Sequence, residues 1–176
     1  DIHYVKSHDE MMKLFLKDKN RLFISNYEQI KNAKFNPKEI GYFGGDEFSC
    51  IRNLDTVVTN YMMHEFKQIP YRDIFTATPS PNDFTELLNY AHFLGIMDRH
   101  QALTRFFQRN STKAGDLTLY EHKVQEFWLW VSSWAVFITK PSDLGYSDKG
   151  YEVPELRVNW HEVALRERET LMDRDG

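Results

Sequence analysis

Residues 71–83 read YRDIFTATPSPND. A strand-like run from Tyr71 to Phe75 passes into Thr76-Ala77-Thr78, then Pro79 and Pro81, then Asn82-Asp83 at the start of a helix-like segment. The prolines are expected to stop the strand, and Asn82 or Asp83 to cap the helix. That would present two small hydroxyl side chains, Thr76 and Thr78, where a strand ends.

Outward from this stretch the chain keeps one rhythm. Strand-like runs occur at Ile2–Val5, Arg21–Ile24, Ile40–Phe43 and Tyr71–Phe75. Between and after them, Asp9–Leu16, Asp55–Phe66 and Asn82–Leu94 carry apolar residues at helical spacing, with Asp55 as an expected N-cap. Strands alternating with helices predict an α/β fold with a parallel sheet flanked by helices. Ligands gather at the carboxyl ends of such strands. Polar groups fall there: Ser25-Asn26-Tyr27-Glu28, Gly44-Gly45-Asp46-Glu47 and Thr76-Ala77-Thr78. The second half changes character. Arg99–Gln108 and Glu121–Ile138 read as helices, the latter with a broad aromatic face of Phe127, Trp128, Trp130, Val131 and Trp134. Lys140–Tyr146 is a turn-rich break, and the tail from Leu165 is charged.

The composition is globular: 176 residues, 41% apolar and 15% aromatic. A net charge of -4 offers no overall basic field, so a polyanion would need a local patch. Lys31, Lys34, Lys38, Arg105, Arg109 and Lys113 are candidates for phosphate contacts. The lone cysteine, Cys50, excludes an internal disulfide and a Cys-based zinc site, and it favours a reducing compartment. No run is long and apolar enough for a membrane span. The histidines show no metal-binding spacing, and Ser49 and Cys50 lack a glycine elbow for nucleophilic work. A packed helix face is the expected use of the Trp residues, with base stacking as the alternative.

Asp46-Glu47-Phe48-Ser49-Cys50-Ile51-Arg52-Asn53 has the form D-E-x-x-x-I-R-N, and Arg72 to Asn82 the form R-x-x-x-T-A-T-P-x-x-N. These strings resemble motifs II and III of superfamily-two helicases, in the version carried by Swi/Snf-like DNA translocases (roughly D-E-A-H-R-I-K-N and R-L-L-L-T-G-T-P-L-Q-N). Ile24-Ser25-Asn26-Tyr27-Glu28 resembles the motif Ib stretch I-T-T-Y-E, and Phe84-Thr85-Glu86-Leu87-Leu88 the helix after motif III. The Trp-rich helix and Lys140–Tyr146 look most like phage- and prophage-encoded members, which implies a bacterial or phage-encoded cytoplasmic protein.

The resemblance implies a partial RecA-like (P-loop NTPase) lobe. Residues 1–98 would be the later half of lobe 1, 99–164 a helical C-terminal extension and linker toward lobe 2, and 165–176 a tail. Asp46 would hold the Mg²⁺ of Mg-ATP through water, and Glu47 would position the hydrolytic water. Motif III, Thr76, Ala77, Thr78 and Pro79, would couple the nucleotide site to the DNA track. Ser25, Asn26 and Tyr27 would lie along the DNA backbone, without reading sequence. Three departures bear on activity. Gly44-Gly45 replaces β-branched or Leu residues, Phe48-Ser49 replaces Ala-His, and no G-x-x-x-x-G-K-[ST] phosphate loop is present. The expectation is therefore a fragment, inactive alone, whose N-terminal part of lobe 1 and whose lobe 2 lie in cis. The alternative is a non-catalytic DNA- or protein-binding module on a degenerate helicase fold. A third idea is a metal-dependent nuclease using Asp46, Glu47 and Asp83.

Overall fold

The computed structural model describes residues 1–19, 21–32, 35–51, 56–80, 83–109, 117–154 and 156–161. The chain is mixed α/β. It begins β1 (Ile2–Tyr4), α1 (His8–Phe15), β2 (Leu22–Ile24), α2 (Tyr27–Lys31), β3 (Tyr42–Gly45), α3 (Val57–His64), β4 (Tyr71–Ile74) and α4 (Thr85–Leu94). Then come α5 (Arg99–Phe106), β5 (Phe107–Arg109), β6 (Leu117–Leu119) and α6 (Val124–Ser132). Residues Asp1–Ala135 form one compact unit and Val136–Gly176 a second.

The strand-helix alternation expected from the sequence produces parallel pairing, β1 with β2 and β3 with β4. The strands do not join into one sheet among the described residues. They form two parallel pairs and a third pair, β5–β6, which is antiparallel. That hairpin corrects the reading of Arg99–Gln108 as continuous helix. Phe107–Arg109 pairs instead with Leu117–Leu119, from Phe107↔Leu119 to Arg109↔Leu117. The backbone turns extended at Phe107 (φ -120°, ψ 150°), and the rings of Phe106 and Phe107 are both buried.

The helix expected over Glu121–Ile138 is also shorter. It starts in a 3₁₀ turn, Glu121–Lys123, and α6 ends at Ser132. There the hydroxyls of Ser132 and Ser133 donate back to the carbonyls of Leu129 (2.9 Å) and Trp130 (2.6 Å), competing with the helical ladder. Asp55 lies outside the described residues; α3 is capped by Thr56, whose Oγ1 accepts the Thr59 N–H at 3.1 Å.

Aromatic rings fill the core of the first unit. Phe43 from β3 stands edge-on to Phe48, Phe66 and Phe93, and Phe48 packs on Phe93 at 4.9 Å. A second cluster joins Phe106, Phe107, Phe127, Trp130 and Trp134, which settles the last two indoles as packing residues. The opposite face of the parallel pairs stays open: Ile2, Tyr4, Leu22, Ile24, Tyr42 and Tyr71 are all exposed. In the second unit, a 3₁₀ turn at Pro141–Leu144 is held by Asp143, whose carboxylate accepts from the Thr139 hydroxyl and from the Thr139 and Lys140 N–H groups. Among the described residues no helix is long and apolar enough to cross a membrane.

Candidate functional site

β3 and β4 run in register from Tyr42↔Tyr71 to Gly45↔Ile74. The pairing continues one residue past both strands. Phe75 N–H donates to the Gly45 carbonyl (2.7 Å), and Phe48 N–H donates to the Phe75 carbonyl (3.0 Å). Those two bonds clamp Asp46-Glu47 beside Thr76, so the two acidic residues and the Thr76 hydroxyl share one edge. The strand ends at Ile74, well before Pro79, so the prolines are not what stops it. Instead Thr76 Oγ1 accepts the Thr78 N–H (3.2 Å) and turns the chain. Pro81 and Asn82 lie outside the described residues. Asp83 supplies the helix-opening contact, its Oδ1 accepting the Thr85 N–H at 2.8 Å.

Asp46 and Glu47 are exposed. Asp46 Oδ1 accepts the Glu47 N–H (3.0 Å), and Glu47 adopts φ 47°. That left-handed backbone is uncommon outside glycine, asparagine and aspartate, and it lifts the Glu47 side chain out of the strand direction. Thr76 is half-buried; Ala77 and Thr78 are exposed and Pro79 half-buried.

The Ser25-Asn26-Tyr27 group serves the fold before any ligand. Asn26 Oδ1 caps α2 by accepting the Gln29 N–H (3.1 Å), and its Nδ2 donates to the Tyr4 hydroxyl (3.3 Å). The Tyr27 hydroxyl donates to the Asp46 carbonyl, and its ring lies 6.0 Å from that of Phe48. Tyr27 thus ties the end of β2 to the end of β3, a link that sequence reasoning missed. Ser25 Oγ is enclosed, with no hydrogen-bond partner among the described residues.

Arg72 was also unforeseen. Its guanidinium donates to the carbonyls of Ile69, Phe93 (3.0 Å) and Leu94 (3.0 Å) and lies over the Phe93 ring. It thereby satisfies carbonyls at the carboxyl end of α4, where Gly95 takes φ 79°. A charged residue on the inward face of a strand was the available signal.

Cys50 is half-buried behind the acidic edge, and burial pushes its thiol up to about 11. Burial also raises the Tyr27 hydroxyl, reinforced by Cys50, Asp46 and Glu47. Both groups hold their protons more tightly folded than unfolded. Their contribution is full below the unfolded values and is lost as pH rises from there through the raised folded values. Native Cys50 should alkylate at least ~10-fold more slowly at neutral pH than a free thiol of pKa about 8.5, the fall in thiolate fraction outweighing the greater nucleophilicity of a more basic thiolate. Iodoacetamide kinetics against pH check this.

Of the basic candidates, Arg105 is paired with Glu126 at 2.6 Å, and Lys123 shares that carboxylate at 2.6 Å. Arg109 is exposed and has no ion pair among the described residues. Lys34 and Lys113 lie outside them. No group of three His, Cys, Asp or Glu able to hold a metal occurs among the described residues, so Asp83 does not join Asp46 and Glu47 as a nuclease would need. Compared with known protein families, curated proteins and solved structures, the chain matches none.

Proposed function

We propose that this chain is part of the first lobe of a Swi/Snf-like superfamily-two DNA translocase, with Asp46 and Glu47 at its nucleotide edge. One observation supports this above the others. The D-E and T-A-T-P strings, 30 residues apart in sequence, lie side by side at the carboxyl ends of two parallel, hydrogen-bonded strands.

Mg-ATP, when bound, supplies the γ-phosphoryl group and a divalent charge against its oxygens. The residues present fit their share of that site. Asp46 keeps one oxygen free of the Glu47 N–H and is exposed, as a contact through a metal-bound water requires. Glu47 points a second exposed carboxylate outward, where it would orient a water. Thr76, half-buried between them and Thr78, would sense that occupancy through its hydroxyl. Tyr27 holds the Asp46 carbonyl and so fixes where the acidic pair begins. The phosphate loop and the second lobe would come from chain outside these residues.

The alternative is a non-catalytic binding module. Gly44-Gly45 no longer favours it, because Gly45 is required by packing: a Cβ there would stand 2.6 Å from Phe48 Cδ2.

Titration with Mg-ATP and with duplex DNA at several salt concentrations tests the reading. Nucleotide binding should be weak or undetectable. Duplex binding should be modest and fall steeply with salt. Tight ATP binding by this chain, or no duplex binding at low salt, would overturn it. A G-K-[ST] motif encoded upstream separates the translocase from the inert module.

A further inference from the structure

A groove of about 310 Å³ lies between the start of α4 and the β5–β6 hairpin, lined by Ser80, Asp83, Phe84, Phe107, Leu117, Thr118 and Leu119. Its size sits at the lower end of ligand pockets, about 300–1,000 Å³. We infer that this groove is a stacking subsite for one base of a single-stranded nucleic acid, with Arg109 at the neighbouring phosphate. The inference rests on the DNA half of the proposed function but needs neither Asp46 nor Glu47.

Three features converge on a base. The wall is aromatic and open: Phe84 is 43% exposed, and Trp128 stands edge-on to it at 5.2 Å and 83°. Phe127, fully buried, backs the same ring at 6.4 Å. Phe84 is therefore held by two aromatic neighbours while part of its ring stays exposed, and exposed aromatic rings are what sequence-tolerant strand binding uses. The rim is polar: Ser80, Thr118 and the Asp83 carboxylate, which anchors itself on the Thr85 N–H, border an apolar floor. A carboxylate there accepts from an exocyclic amine such as that of cytosine.

The third feature is the cation. In the hairpin, Phe107 pairs with Leu119 and Arg109 with Leu117. Arg109 thus stands directly opposite Leu117, a residue that lines the groove. It is exposed and, among the described residues, without an ion pair, unlike Arg105 and Lys123, which are spent on Glu126. An apolar slot with an exposed guanidinium on the adjoining strand, without an ion pair among the described residues, suits a base with its phosphate. An apolar peptide would leave that charge without a counterpart.

Oligo-dC binding, followed by fluorescence anisotropy across salt, tests the assignment. Phe84→Leu keeps apolar bulk against Phe127 and Trp128 but removes the stacking face; affinity should fall about 10-fold with the salt slope unchanged. Arg109→Gln should reduce the slope by ~0.7, one phosphate contact on a single strand. Both variants should melt as the wild type does. Wild-type affinity in Phe84→Leu, an unchanged slope in Arg109→Gln, or displacement by free dCMP at equal nucleotide concentration would each overturn it. Duplex titration reports separately on the translocase reading, so the two can fail independently.

Discussion

Arg72→Ala should lower the stability of the first unit by about 3 kcal/mol, seen as a lower denaturant midpoint with an unchanged slope. The guanidinium donates to three backbone carbonyls on two segments, Ile69 before β4 and Phe93 and Leu94 at the end of α4. A hydrogen bond to a charged group contributes about 1.5–3 kcal/mol, and partly buried carbonyls left without a donor add their desolvation cost. The bonds act as a unit, so their worths do not sum, and Arg72 is only half-buried. Burial lowers the Arg72 pKa, yet the guanidinium stays charged throughout the working range. Arg72→Lys should recover little. A point-like ammonium cannot reproduce a planar fork that reaches two segments at once. Full stability in Arg72→Ala would mean that water satisfies the end of α4 unaided.

Gly45→Val should cost a comparable amount, about 2–3 kcal/mol, by overpacking. A Cβ at Gly45 would meet Phe48 Cδ2 at 2.6 Å and Phe43 Cε1 at 3.0 Å. Phe48 is fully buried against Phe43, Phe93 and Tyr27 and has no space into which to retreat. The adjacent Gly44 is the control. A Cβ there meets only the hydroxyl end of exposed Tyr42, at 3.1 Å, and its φ is not positive. Gly44→Ala should therefore be near neutral, since it also reduces the freedom of the unfolded chain. Thermal melts of the two variants side by side decide the matter. Equal effects would show that strand propensity, not contact with Phe48, governs this pair.

The parallel pairs were legible because their signals are local. Tyr71–Phe75 and Ile40–Phe43 carry strand residues, and the polar residues after them fall at the carboxyl ends whatever the sheet beyond. The adjacency of Asp46 and Thr76 followed from that rhythm. The β5–β6 hairpin was hidden, because Arg99–Gln108 satisfies helical spacing throughout and the strand that pairs with Phe107–Arg109, Leu117–Leu119, lies further along the chain. Arg72 and Tyr27 were hidden for another reason. Their partners are backbone carbonyls, which every residue carries and no side-chain pattern reports. Gly45 read as a weakness of the strand until the Phe48 ring was found against it.

The open face of the parallel pairs has a consequence for how the chain finds its fold. In β1 and β2 the outward residues, Ile2, Tyr4, Leu22 and Ile24, are as apolar as the inward His3 and Phe23. In β3 the outward Tyr42 differs little from the inward Phe43. A one-residue slip exchanges such sets at small hydrophobic cost, so greasiness alone does not select the native alignment. In the second pair, selection falls to Arg72. A one-residue slip of β4 would swing it to solvent and strip the end of α4 of its donors. Arg72 thus acts as a proofreader against misaligned competitors, narrowing a landscape that the apolar code leaves broad.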